Sequence, residues 1–370
     1  MMIARLAFTL TLFSIFAVGQ PTANWRTDLS KRSIELSELK FGGPGKDGIP
    51  ALSHPKFEPI AGANKWLDPK EPVIVVGGPS DVRVYPVQIL IWHELVNDEI
   101  GGVPILVSYC PLCNSTIVFD RRIDGKPVQF GVSGMLRESD MVMFDRKTES
   151  LWQQITGEAI VGTHTGKRLP MIPSQTVTFE TVAKQYPEAR VLSRNTGHSR
   201  QYGRNPYVGY EFGNQLMFPV RTPSLRGVKL LERVVALNGT AASRAYPFSA
   251  LRKVPIVEGE YEGARYVVFY SERGKSALDA ERLAESRDVG AVGVFVPENE
   301  GMALSFRERE GGFIDDQTGS TWNLLGVATA GPLAGKQLKP FPHTVSFAFA
   351  WLVFRPDTEI IRPSPNLKRK

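Results

Sequence analysis

The chain has 370 residues but only two cysteines and five histidines. Two cysteines can form one disulfide, or half of a four-thiolate zinc site, and nothing larger. There is no Gly-rich phosphate loop, no Gly-x-Ser-x-Gly and no His-Glu-x-x-His, so the common nucleotide, serine-hydrolase and metalloprotease signatures are excluded. The net charge is +6, partly carried by Arg5 and by Lys368, Arg369 and Lys370 at the ends. No basic stripe with interleaved aromatics occurs, which argues against nucleic acid as a partner. Beyond the N-terminus no apolar stretch is long enough to span a bilayer.

What is present describes a folded, β-rich chain. Hydrophobic residues make up 42% and charged residues 22%, enough for a core, while 34 glycines and 27 prolines favour turns and short strands. Arg5 precedes the apolar run from Leu6 to Val18, and Ala17-Val18-Gly19 closes it with small residues. That is the form of a cleavable secretory signal over 1–19, too short for a comfortable membrane span. The expectation is a protein exported to the periplasm or beyond, with no membrane segment after cleavage. Paired cysteines could be oxidised there.

An internal repeat organises the rest. Arg83-Val84-Tyr85-Pro86 matches Arg244-Ala245-Tyr246-Pro247, and the same offset carries Tyr109 onto Tyr270. Further on, Asp145, Thr148, Ser150 and Trp152 match Asp315, Thr318, Ser320 and Trp322, and Gly166–Leu169 matches Gly335–Leu338. The expected layout is an N-terminal arm at 20–70, a first copy at 71–195, a connecting strap at 196–229, a second copy at 230–362 and a basic tail at 363–370. The expected fold is β-rich α+β, with two homologous β lobes, each carrying one or two short helices. Val87–Asp98 is expected to be helical from its apolar spacing, as is the segment that ends before Pro187.

The two thiols lie in Ser108-Tyr109-Cys110-Pro111-Leu112-Cys113-Asn114-Ser115-Thr116. A redox Cys-x-x-Cys opens a helix, but strand-forming residues flank this one on both sides. A hairpin tip follows, resembling a metal knuckle that points both sulfurs one way. Two ligands suit copper(I), and zinc needs more. His93 is the expected third ligand. Projected onto the second copy, His93, Cys110 and Cys113 become Val254, Ser271 and Gly274, so the three are lost together. Asp140, Ser139 and Glu94 are candidates to orient those ligands. His164 and His54 carry less weight, and Met135, Met141 and Met143 are expected to pack in a strand core.

These segments, with Asp47-Gly48-Ile49-Pro50-Ala51-Leu52, Trp92-His93-Glu94 and Tyr202-Gly203-Arg204-Asn205-Pro206-Tyr207, resemble the domain of unknown function 3179, a family of exported prokaryotic proteins. The resemblance implies export and covers nearly the whole chain after the signal, but it implies no chemistry. Asn114 stands where the family usually has glycine, and asparagine tolerates the same positive-φ turn. Three readings remain open. One is a copper or zinc protein holding one ion through Cys110, Cys113 and His93. Another is a thiol–disulfide oxidoreductase using the cysteine pair. The third is a structural envelope module whose cysteines tie the hairpin. No protein or small-molecule partner can be named.

Overall fold

The β-branched runs become strands. In a computed structural model, which describes residues 25–363 apart from 79–80, 214, 222, 238–242 and 310–311, strands take 41% and helices 11%. The longest helices, Val87–His93 and Phe179–Gln185, have seven residues each, so the sheets carry the architecture. The signal expected at 1–19 and the tail beyond 363 lie outside the described residues. Among the described residues no helix is long and apolar enough to cross a membrane.

One five-stranded sheet runs Ser174–Thr178, Pro72–Gly78, Asp81–Pro86, Arg190–Leu192, Phe57–Pro59. Its first four strands have a counterpart order in His343–Phe347, Arg233–Leu237, Arg244–Pro247, Glu359–Ile360. In both series the last strand pairs in parallel and the others antiparallel. A short helix follows the proline of Asp81–Pro86 and of Arg244–Pro247 alike.

The second series does not stand alone. Val345 pairs with Thr116, which fuses it to the hairpins Ser115–Asp120, Val103–Cys110 and Leu95–Ile100 in an eight-stranded sheet. The largest core cluster accordingly mixes Tyr85, Leu106 and Phe119 with Phe347 and Trp351. A second cluster mixes Val73 and Val191 with Phe269 and Trp322. The core therefore does not divide between 71–195 and 230–362.

A matching corner recurs in both halves. Asp145 Oδ2 accepts from Trp152 Nε1 at 3.2 Å, and Asp315 Oδ2 from Trp322 Nε1 at 2.9 Å. Each aspartate also accepts from a threonine hydroxyl, Thr148 and Thr318, which is paired in turn with Ser150 and Ser320. Gly162 (φ +109°) and Gly331 (φ +90°) lie over those serines, where a Cβ would come within 3.0 Å of the serine backbone. Both tryptophans are fully buried, as the polar turn that grips the indole requires.

One expected helix boundary is wrong. The helix stops at His93 because Glu94 takes φ +57°, and Leu95–Ile100 is a strand paired with Val103–Cys110. The apolar residues at Leu95 and Val96 continue the helical spacing but face the core from a strand. Gly101 and Gly102, both at positive φ, form the hairpin turn between those two strands.

Candidate metal centre

The two cysteines occupy a hairpin tip between Val103–Cys110 and Ser115–Asp120, with Cys110 opposite Ser115. Asn114, at φ +46°, closes the turn by donating its N–H to Pro111 O at 3.2 Å. Every residue from Cys110 to Asn114 is buried. The tip is capped by the segment at 196–229, where the Tyr210 hydroxyl donates to Leu112 O at 3.0 Å, and by Phe347 N, which donates to Cys113 O at 2.8 Å.

A second hairpin tip meets the first. Glu138 and Ser139, both at positive φ, turn the chain between Phe130–Arg137 and Asp140–Asp145. This places Asp140 against the thiols: Cys113 Sγ lies 3.3 Å from Asp140 Oδ1 and 3.5 Å from Ser139 O. The two sulfurs and an Asp140 oxygen all lie within 4.8 Å of one another. Asp140 Oδ2 is engaged by Gln153 Nε2 at 2.6 Å and Ile155 N at 3.0 Å, which leaves Oδ1 aimed at the sulfurs. Outer hydrogen bonds on one oxygen are what orient a ligating carboxylate. Ser139 fixes the tip itself, since its hydroxyl donates to Phe218 O at 2.9 Å.

The electrostatics are those of a buried acidic cluster. Burial raises the Cys113 thiol well above its usual range, reinforced by Cys110 and Asp140, and burial raises Cys110 as well. Asp140 is pushed up to about 6 by burial, against the hydrogen bonds it accepts. Glu94 is pushed up to about 8 by burial and then by the charge of Asp140, and no cation offsets either effect. No hydrogen bond reaches the Glu94 carboxylate among the described residues, and the residue holds a positive φ that glutamate rarely adopts.

His93 is not in this cluster, which corrects the expected ligand set. Its Nδ1 pairs with Pro50 O and its Nε2 with the Tyr202 hydroxyl, each at 2.7 Å. Burial lowers it to about 4. The reason is the turn at Glu94: the helix end carries His93 toward the 50–54 and 196–202 segments, and the backbone then reverses. Asp140, expected from the sequence only as an orienting residue, is the group whose oxygen lies with the two sulfurs. Of the other candidates, Ser139 is at the site, Glu94 is buried within electrostatic reach of Asp140 and Cys110 but outside the group of ligand atoms, His54 is exposed, and His164 is half-buried near Trp152. Met135, Met141 and Met143 are buried in the core as expected.

The donor set fits a divalent soft-to-borderline ion. Two sulfurs and one carboxylate oxygen are zinc ligands, and a 3.3 Å sulfur–oxygen separation is close to the ~3.5 Å that two ligands of one tetrahedral zinc span. Two thiols and a carboxyl buried together, with Glu94 in electrostatic reach, would be relieved by two positive charges.

Fold and site together define a β-rich protein with a buried dithiol–carboxylate cluster at the junction of two hairpin tips. The chain belongs to the family described as Protein of unknown function (DUF3179), whose family model matches residues 46–358. No curated protein and no solved structure matches it.

Proposed function

We propose that the protein is an exported metal-binding protein that holds one zinc-class ion through Cys110, Cys113 and Asp140, with the Glu94 carboxylate beside them. The single observation that carries this reading is the convergence of two sulfurs and a pre-oriented carboxylate oxygen within 4.8 Å, all buried. An oxygen ligand favours zinc over copper(I), which prefers thiolates alone. The ion would supply Lewis acidity or a structural clasp; the chain supplies the anionic cage and its exclusion from water.

Thiol–disulfide exchange through Cys110 and Cys113 is the second reading. It draws on two free thiols lying close together. Burial and raised thiol pKa values oppose it, because the reactive species is an accessible thiolate.

The two halves are best read as copies of one ancestral unit, of which only the first kept the site. The matching strand orders and the two Asp–Trp corners support this. So does Ser271, which ends Ala264–Ser271 as Cys110 ends Val103–Cys110.

The test is elemental analysis of full-length protein purified from an export compartment, followed by cobalt(II) substitution. One ion per chain is expected, with sulfur-to-cobalt charge-transfer absorption. Cys110→Ser, Cys113→Ser and Asp140→Asn should each weaken zinc binding by about tenfold or more. A metal-free protein that neither binds zinc nor changes on chelation would end the proposal.

A further inference from the structure

A second polar site lies on the other side of the His93–Glu94 turn. A pocket of about 250 Å³ opens between the 51–56 segment and the stretch containing Leu192, Thr196 and His198. That volume is roughly eight water molecules' share of the liquid. Its polar lining is Ser53, His54, Lys56, Thr196 and His198, and among the described residues no acidic side chain lines it. Arg200 and Arg194 add positive charge nearby, acting on His93 and Tyr202. The 51–56 wall is held in place by backbone bonds from Leu52 N to Leu95 O, Asn97 N to Leu52 O and Ser193 N to Lys56 O.

The opposite wall is set by an ordered chain of hydrogen bonds. Pro50 O can only accept, so His93 Nδ1 carries the proton, and burial, which lowers the ring to about 4, leaves Nε2 as an acceptor at neutral pH. The Tyr202 hydroxyl must then donate to Nε2 at 2.7 Å, and its oxygen accepts from Thr196 Oγ1 at 2.5 Å. Thr196 Oγ1 in turn receives the His198 N–H at 3.2 Å. The chain ends at the residue that presents the His198 imidazole to the pocket, with Thr196 Oγ1 also 3.4 Å from His198 O. None of these groups touches the cysteine cluster.

We propose that this pocket binds a small oxyanion, a carboxylate or phosphate of roughly ten non-hydrogen atoms or fewer, seated by Lys56, His54 and His198, with Thr196, Tyr202 and His93 as positioning residues. The ligand class follows from the lining, which offers cationic and donor groups and no competing acid. The site stands independently of the metal reading.

The test titrates full-length protein with succinate, inorganic phosphate and glycerol at constant ionic strength, read by calorimetry and by the imidazole proton resonance of His198. Saturable one-to-one binding of succinate or phosphate is expected, with glycerol silent; which anion is tighter distinguishes the two sources. Lys56→Gln with His198→Gln should weaken binding by about tenfold. Thr196→Val should weaken it, whereas Thr196→Ser, which keeps the hydroxyl, should restore it; a merely structural threonine would not show that pattern. Zinc content should be unchanged in all of them. The proposal is overturned if neither anion saturates, if glycerol binds as well, or if the Lys56 and His198 variants bind unchanged, which would mark an adventitious ion only.

Discussion

Replacing Glu94 with glutamine should flatten the pH dependence of stability in the metal-free protein. Glu94 is buried, and its carboxyl sits at about 8 against an ordinary value of 4.5. A carboxyl whose folded pKa is raised binds its proton more tightly in the native state. The resulting stability is therefore complete below about pH 4.5 and is lost as the pH rises through about 8. Each tenfold gain in proton affinity on folding contributes about 1.4 kcal/mol. Between about pH 5 and pH 8 the wild type should lose about 3 kcal/mol more than Glu94→Gln. Asp140, raised to about 6, titrates with the same sign in both proteins and cancels. Comparing slopes also cancels the pH-independent cost of burying an amide. The assay is urea denaturation of chelator-treated protein at the two pH values. Equal slopes would mean that Glu94 is solvated in solution, and the inference of an uncompensated acidic cluster would fail. With zinc present the wild-type trend should invert, because the ligands bind metal only when deprotonated.

His93→Val should leave zinc content unchanged but lower stability by about 1–3 kcal/mol, since Pro50 O and the Tyr202 hydroxyl lose a buried partner; a fall in metal content would return His93 to the ligand set. In chelated native protein the thiols should react slowly with an aromatic disulfide reagent at mildly alkaline pH, and rapidly only in denaturant, because burial raises both. Fast native reaction would favour the oxidoreductase reading. Asp145→Ala and Asp315→Ala should each destabilise the fold by about 2–4 kcal/mol through loss of the bonds that hold Trp152 and Trp322. Zinc affinity that fell only in the first of these would show that the corner near the site has a role beyond packing.

Local chemistry is legible where a residue type decides geometry. Thr116, Ile117, Val118 and Phe119 favour a strand, and Asn114 admits a positive φ, so the hairpin can be read without coordinates. Direction and distance are another matter. The positive φ at Glu94 has no sequence signature, since glutamate is an uncommon choice there, and it separates two neighbours that look inseparable on paper. The matched positions Val254, Ser271 and Gly274 suggest that His93 and both cysteines act as one unit, yet the structure places His93 apart from the thiols. Asp140 reaches the thiols only because one hairpin tip docks on another, a tertiary contact that neither spacing nor periodicity encodes.

The docking of those tips has a mechanical consequence. Cys113 and Asp140 stand 27 residues apart in the chain, one on a hairpin tip of the eight-stranded sheet and the other at the start of a strand in a different sheet. An ion bridging them would close that stretch of chain as a cross-link does. By the loop-entropy relation for disulfides, such a closure restricts the unfolded chain by about 3–4 kcal/mol. With its only two cysteines on a single turn, the protein would gain by coordination the kind of staple that secreted proteins usually obtain by oxidation. Its resistance to unfolding would then depend on the supply of metal rather than on the surrounding redox potential.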